Sequence, residues 1–232
     1  MIFQDLGIID YKTAWDYQEI LLAENVAVKT AARLQDDVIA SETDTKNFFL
    51  VCEHKAVYTI GKSGNLNNIL LPIHVLKEKG IDFFQTNRGG DITFHGPGQL
   101  VGYPILDLEK FYTDIGKYLR NLEEVIILTI ANYGIKGERS SGETGVWIDT
   151  GVKGRARKIC AIGVRCSRWI TMHGFALNVN TDLSYFNNII PCGIQDKQVT
   201  SIEREFGAKI DLEEMKVLIR KNFQSVFNTE LV

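Results

Sequence analysis

Apolar and polar positions alternate along the chain in two rhythms, and each rhythm marks a type of element. Trp15, Leu21, Leu22, Val26 and Val28 recur at helical spacing behind Thr13, a residue suited to cap a helix start, so the spacing predicts a helix over 13–33. FFLVCE (48–53) and AVYTI (56–60) are rich in β-branched and aromatic residues and predict strands. A second helix is expected over 113–132, with Thr113 as its cap. Leu119, Leu122, Val125, Ile126 and Thr129 line one of its faces, and Gly134 follows as its stop. GVWID (145–149) and KICAIGVR (158–165) predict strands around a polar loop, and GFALNV (174–179) predicts another. A last helix starts at Asp211 with Glu214 three residues on, a capping-box pattern, and carries Met215, Leu218, Ile219, Phe223 and Val226 as its apolar stripe. Strands and helices mix without a regular βαβ beat, and no repeat, low-complexity tract or linker interrupts them. The expectation is an α+β fold: a single domain over 1–232, with a mixed β-sheet flanked by helices.

Composition narrows the function classes. The chain has 232 residues, of which 45% are apolar, enough for a substantial core. Its formal net charge of -3 is not the footprint of a nucleic-acid binder. The N-terminal MIFQDLGIIDY holds Asp5 and Asp10 without a basic leader, and no stretch reaches the roughly 18 apolar residues of a membrane helix, so a cytoplasmic protein is expected. Cys52, Cys160, Cys166 and Cys192 form no CxxC pair or zinc spacing and read as reduced thiols. The separated histidines add no metal site.

Three segments carry candidate chemistry. In RGGDITFHGPGQ (88–99) the paired glycines allow close backbone approach, Arg88 offers a planar fork of donors, and His95 precedes a Gly-Pro-Gly turn. The plain alternative is a tight hairpin. Neither a P-loop nor a GxGxxG spacing is present, so no nucleotide cofactor is supported. Lys158 sits on a strand beside small residues, where it either enters a pocket or lies at a solvated edge. Around it, residues 151–168 hold Lys153, Arg155, Arg157, Arg165 and Arg168 and no acid, the pattern of a docking surface for an acidic partner or of a charged hairpin. Pro191-Cys192-Gly193 places a cysteine on a turn, where a nucleophile is accessible.

Taken in order, EHKAVYTIG (53–61), RGGDITFHGPGQL, GVWI, KICAIGVR, HGFALNV and NNIIPCGI resemble the lipoyl(octanoyl) transferase family of lipoate biosynthesis, over about residues 10 to 205. The resemblance implies the catalytic-domain fold of biotin and lipoate ligases. It implies transfer of an octanoyl or lipoyl group from acyl carrier protein to a lysine of lipoyl domains, without a cofactor. The acceptors would be the lipoyl domains of 2-oxoacid dehydrogenases and the glycine cleavage H protein. By position, Cys192 matches the cysteine that carries the acyl thioester, and Lys158 the lysine that lowers its pKa. Arg88, Gly89, Gly90, Asp91, Ile92, Thr93, Phe94 and His95 match one wall of the acyl pocket. Ala161, Ile162 and Gly163 match a second wall, and Gly174, Phe175 and Ala176 a third. Asp91 stands where the family carries a variable, often uncharged residue. His95 and His173 are candidate polar contacts, and the glycines are expected to thin the walls.

A monomer acting without nucleic acid or membrane is expected. Two rivals stay open. One is an ATP-dependent lipoate or biotin ligase on the same fold, which needs an adenylate site and no thiol. The other is an acyl-binding module whose cysteines are incidental.

Overall fold

The computed structural model describes residues 1–34, 43–190 and 198–232. Its main sheet runs β1 (Ile2–Ile9), β2 (Phe48–His54), β6 (Gln99–Ile105), β10 (Ile170–Asn178), β9 (Arg157–Ser167), β8 (Glu143–Ile148) and β7 (Glu138–Ser140), and β11 (Gln198–Val199) pairs with β9. The β1–β2 and β9–β11 pairs are parallel and the others antiparallel, so the sheet is mixed. A second sheet holds β3 (Val57–Ile60) between β4 (Asp82–Gln85) and β5 (Ile92–His95). The helices are α1 (Tyr11–Ala32), α2 (Ile73–Glu78), α3 (Ile115–Ala131), α4 (Ile202–Phe206) and α5 (Leu212–Phe227).

Alternation along the central strands divides the core. Phe49, Val51 and Leu177 join Leu122, Ile126, Ile219 and Phe223 of α3 and α5 on one face. Leu50, Cys52 and Met172 join Ala14, Leu21 and Leu22 of α1 on the other. A third cluster, built on Tyr58, Ile60, Ile92 and Phe94, belongs to the small sheet with Leu76 of α2 and Phe186. Both faces of the main sheet are covered, which explains why β6 and β10 are buried at every position.

Two predicted helix starts shift, the second of them through its cap. The first helix starts at Tyr11 after Asp10, before Thr13. The third starts at Ile115, because the Asp114 carboxylate accepts the Lys117 N–H at 2.9 Å in place of the Thr113 hydroxyl. Asp211 caps the last helix as expected, accepting from Glu213 N at 2.8 Å. Strand β1 was not legible, because IFQDLGII mixes polarities and breaks register between Asp5 and Ile8, with Gly7 at a φ of 60°. Nor is 88–99 a hairpin: β5 pairs with β3 and β6 with β2 and β10, so the Gly-Pro-Gly turn hands the chain from one sheet to the other.

A buried ion cluster fastens α1 to the turn after β6. Lys29 Nζ lies 2.8 Å from Asp107 Oδ1 and 2.7 Å from Glu109 Oε2, with Lys29 2% and Asp107 0% exposed. Thr45 Oγ1 donates to Asp107 Oδ2 at 2.8 Å. Removing one partner of such a pair leaves a buried charge, at a cost of about 3–5 kcal/mol. Lys29→Met is therefore expected to lower the unfolding free energy obtained from urea titration by that order, and Lys29→Met with Asp107→Asn to recover part of the loss.

Candidate acyl cavity

A cavity of about 560 Å³ opens between the main sheet and the segment leading into β5. Arg88, Gly89, Gly90, Asp91, Ile92, Thr93 and His95 line it, with Ala161–Gly163 from β9, Gly174–Ala176 from β10, and Lys158. The three expected walls thus meet around one space. Phe94 is a correction. Phe94 is absent from the lining: it stacks on Tyr185 at 4.4 Å and packs against Tyr58 and Phe186. Cys192 lies outside the described residues.

The glycines do more than widen the cavity. Gly89 N donates to Val164 O at 2.9 Å, and a Cβ at Gly163 would lie 2.8 Å from Gly89 O. A Cβ at Gly174 would lie 2.1 Å from Gly102 O. These positions let backbones touch, and the walls follow from that contact. Arg88 spends its fork on the same seam. Its Nη2 donates to Thr59 O at 2.7 Å, Thr59 Oγ1 at 3.0 Å and Asp91 O at 2.8 Å, and its Nη1 to Gly89 O at 2.9 Å. Asp91 has a structural use: its carboxylate accepts from Ile92 N at 2.7 Å, from Asn65 N at 3.1 Å and from the Asn68 amide.

Lys158 is the second residue of β9, with its ammonium over the Trp147 ring, 4.5 Å from the centroid. Gly145, at a φ of 121°, runs beside it, where a Cβ would meet Cys160 O at 2.6 Å. The buried Glu123 carboxylate accepts the Gly145 N–H at 3.0 Å and pairs with Arg120 and Arg139. The residues flanking 191–197 are both tied down near the cavity. Ile190 N donates to Asn68 O at 2.8 Å, while Val199 pairs with Lys158, and Thr200 N donates to Lys158 O at 2.9 Å.

The basic block is smaller as a docking surface than its sequence suggests. Arg157 is held by Glu205 and Asp149, each at 2.6 Å, Arg165 by Glu19 at 2.9 Å, and Arg168 bonds Thr30. Lys153 and Arg155, on the turn after β8, stand exposed, as does Arg168 at the far end of β9.

His95 and His173 on the cavity wall, and His54 behind it, are held uncharged. Gln99 gives its Nε2 to Phe94 O and Asn178 Oδ1, so its Oε1 accepts from His95 Nδ1 at 2.8 Å. His95 stacks on Tyr11 at 5.7 Å. His54 donates from Nδ1 to Ile9 O, and its Nε2 accepts from the Tyr103 hydroxyl at 2.7 Å. Burial pushes His54 down to about 4, and His95 and His173 to about 3, the latter two helped by the Arg88 charge. Among the described residues, no three His, Cys, Asp or Glu side chains gather as a metal site would require.

The lipoyl protein ligase A/B catalytic-domain family matches residues 10–224. The chain belongs to this family. Its curated relatives include the octanoyltransferase of Christiangramia forsetii, 58% identical over 98% of this chain and 96% of that protein. The octanoyltransferase of Flavobacterium psychrophilum is 57% identical over 99% and 97%. Among solved structures, a bipartite lipoate protein ligase from Thermoplasma acidophilum superposes with a TM-score of 0.70 at 15% identity, covering 100% of this chain and 85% of its own. Lipoate-protein ligase A bound with ATP gives 0.66 at 14%, covering 100% and 90%. The expected ligase-type fold is therefore the observed one.

Several residues at the cavity went unassigned in the sequence. Tyr11, Gln99, Tyr103 and Asn178 line it, as do Ile115 and Leu119 from α3. His54 was inside a quoted motif, but its bond to Tyr103 crosses 49 positions, which no local pattern reveals.

The histidines make stability pH-dependent. Unfolded, each takes a proton below about pH 6.5; folded, each resists until about 4 or 3. Stability is therefore full above that upper value and falls with pH through the window, by up to about 1.4 kcal/mol per unit for each histidine. Urea midpoints from pH 7 to 4.5 are expected to show this slope, and His95→Gln to flatten it.

Proposed function

We propose that the protein moves an octanoyl group from acyl carrier protein to a lysine of lipoyl-domain proteins, including those of 2-oxoacid dehydrogenases and the glycine cleavage H protein. In this reading residues 1–232 act as one monomeric catalytic domain in the cytoplasm, Cys192 carries the acyl group and Lys158 moves protons. The observation that carries it is near-full-length identity of up to 58% to octanoyltransferases. Two physical points support the residue roles. Burial pushes the thiols of Cys52, Cys160 and Cys166 up, away from nucleophilic thiolates. Lys158 lies on the cavity wall, and Val199, its partner in the β-ladder, follows the Cys192 segment closely.

The chemistry closes on itself. The Cys192 thiolate attacks the carrier thioester, the tetrahedral intermediate expels the carrier sulfur, and Lys158 ammonium gives that sulfur its proton. Thioester replaces thioester, so no ATP is consumed. The acceptor amine then attacks the acyl-enzyme, its proton passes to neutral Lys158, and Cys192 leaves as thiolate, restoring the starting pair. Burying about six methylenes at ~0.8 kcal/mol each gives on the order of 5 kcal/mol, enough to select chain length.

A ligase reading shares the fold, since the ATP-bound lipoate-protein ligase A superposes as well. Reaction without ATP separates the two. Intact-mass measurement after incubation with octanoyl-carrier protein is expected to show one hydroxylamine-labile octanoyl adduct, absent from Cys192→Ser. An adduct-free parent that octanoylates a lipoyl domain only with ATP would overturn the proposal. Lys158→Ala is expected to move the pH profile of Cys192 alkylation upward, because the thiolate loses its neighbouring cation. An unchanged profile would remove Lys158 from the mechanism.

A further inference from the structure

Strand β9 has a gap in its outer edge where the cavity passes it. On its inner side β9 pairs with β10 from Cys160 to Ser167. Thr171 N donates to Leu106 O at 2.9 Å, away from β9, so Thr171 and Cys166 form a non-hydrogen-bonded pair. Alternation then turns the backbone groups of Cys166, Val164 and Ile162 to the edge opposite β10. Val164 O agrees with that direction, because it accepts Gly89 N at 2.9 Å from the outer side. At the other end, β8 pairs with β9 up to Val146–Cys160 and then leaves at Gly145, whose φ is 121° and whose N–H goes to Glu123 at 3.0 Å. Ile162 lies between these two contacts. Among the described residues its N–H and C=O have no hydrogen-bond partner.

This edge belongs to the cavity. Gly89, Thr144, Ile162 and Val164 line it together, and the space continues to Ile115 and Leu119 of α3. The acyl walls lie on one face of the same strands, where Ala161 and Gly163 pair with Ala176 and Gly174. Ile162 and Val164 pack their side chains against the core cluster of the opposite face. A hydrocarbon tail on the Ala161–Gly163 face offers neither donor nor acceptor to the Ile162 amide.

The Lys158 side chain ends next to the gap. A Cβ on Gly145 would lie 3.6 Å from Lys158 Cε and 2.6 Å from Cys160 O. The end of the side chain is therefore beside Cys160, two residues from Ile162, roughly 7 Å along the strand at ~3.3 Å per residue. A thioester reacting there must lead its leaving group away. The leaving group of an acyl carrier protein is a phosphopantetheine thiol, a linear arm with two secondary amides. Its nearer and farther amide nitrogens stand roughly 4 Å and roughly 9 Å from the sulfur, with bonds of ~1.5 Å. The two amides bracket the distance to Ile162.

We propose that the Ile162 edge binds the phosphopantetheine arm of the acyl donor, its N–H and C=O completing a short ladder with an amide of that arm. The proposal rests on the octanoyl-transfer reading above. Strand edges hold amide-bearing ligands through main-chain hydrogen bonds. This gap is closed on both sides, by β8 and by Gly89, so it suits a thin arm with isolated amides and not a continuous strand of an acceptor protein. Ile162 is a positioning residue here, and bond making and breaking stay at the Lys158 end.

The test is calorimetric binding to the intact protein of an unreactive octanoyl-phosphopantetheine analogue in which CH2 replaces the thioester sulfur. It is compared with two forms in which one amide or the other is an ester. An ester lacks the N–H donor, so at least one form is expected to bind about fivefold or more weakly than the diamide. Ile162→Pro removes the edge N–H. Because that N–H faces away from β10, the β10 ladder is kept, and an edge position tolerates proline. This variant is expected to lower the diamide-to-ester ratio at least about threefold, whereas Ile162→Val, which keeps the N–H, preserves it. A parent ratio below about fivefold for both esters, or a ratio unmoved in Ile162→Pro, overturns the proposal. The parent comparison stands even if the proline variant does not fold. Octanoyl adduct formation from octanoyl-carrier protein, followed by intact mass on the same preparation, separates the two readings. An adduct without amide preference removes the arm site and leaves octanoyl transfer intact. Amide preference without an adduct removes the transfer reading alone, and neither result removes both.

Discussion

Contact between glycine backbones is the constraint on which the site depends. Gly89 reaches β9 closely enough to bond Val164 O at 2.9 Å, and Gly163 has room only for a hydrogen where its neighbours have side chains. That approach seats the 88–91 segment on the main sheet. Once seated, Arg88 can reach back to β3 and close the seam between the two sheets with both its Nη groups. The cavity is the space left under that seam, and its walls come from three stretches far apart in sequence. A side chain at Gly163 would push the segment off the sheet instead of filling a hole.

Polarity inside an acyl cavity needs an explanation, because a hydrocarbon chain gains nothing from it. Here the polar atoms are almost all spent on one another. Arg88 serves Thr59, Thr59 serves His95, His95 donates to Gln99, Gln99 donates to Asn178, and Asn178 donates to Thr200 O at 3.0 Å. The chain of bonds ends at Thr200, the residue whose own N–H meets Lys158 O. Satisfied in this way, the groups present little free polarity to a ligand while fixing the relative positions of β3, β5, β10 and β11. Arginine is here a structural fastener, although its residue type alone suggested a ligand contact.

Legibility in the sequence followed the range of the interaction. Helices with a clean apolar stripe, such as α3 and α5, were readable because their burial pattern is local. Strands β2, β3, β9 and β10 were readable from β-branched and aromatic runs. The cavity walls were readable only through ordered motifs, since no composition tells that Gly174 must meet Gly102. Strand β1, the pairing of Arg157 with Glu205 and the buried Lys29–Asp107 contact were not readable, because each joins residues whose partners are set by topology. The basic run was only partly readable for the same reason: Arg157 and Arg165 meet carboxylates distant in sequence, while Lys153, Arg155 and Arg168 are exposed.

The small sheet has an apolar cluster of its own, built on Tyr58, Ile60, Ile92 and Phe94, distinct from the two that cover the main sheet. Contiguous units of this kind open with free energies of their own. The seam therefore divides two cooperative units, and the cavity lies in the joint between them. A ligand in that joint touches both and stabilises their association by mass action. Occupancy of the cavity and protection of the β3–β5 amides from solvent exchange are thereby one equilibrium seen from two sides.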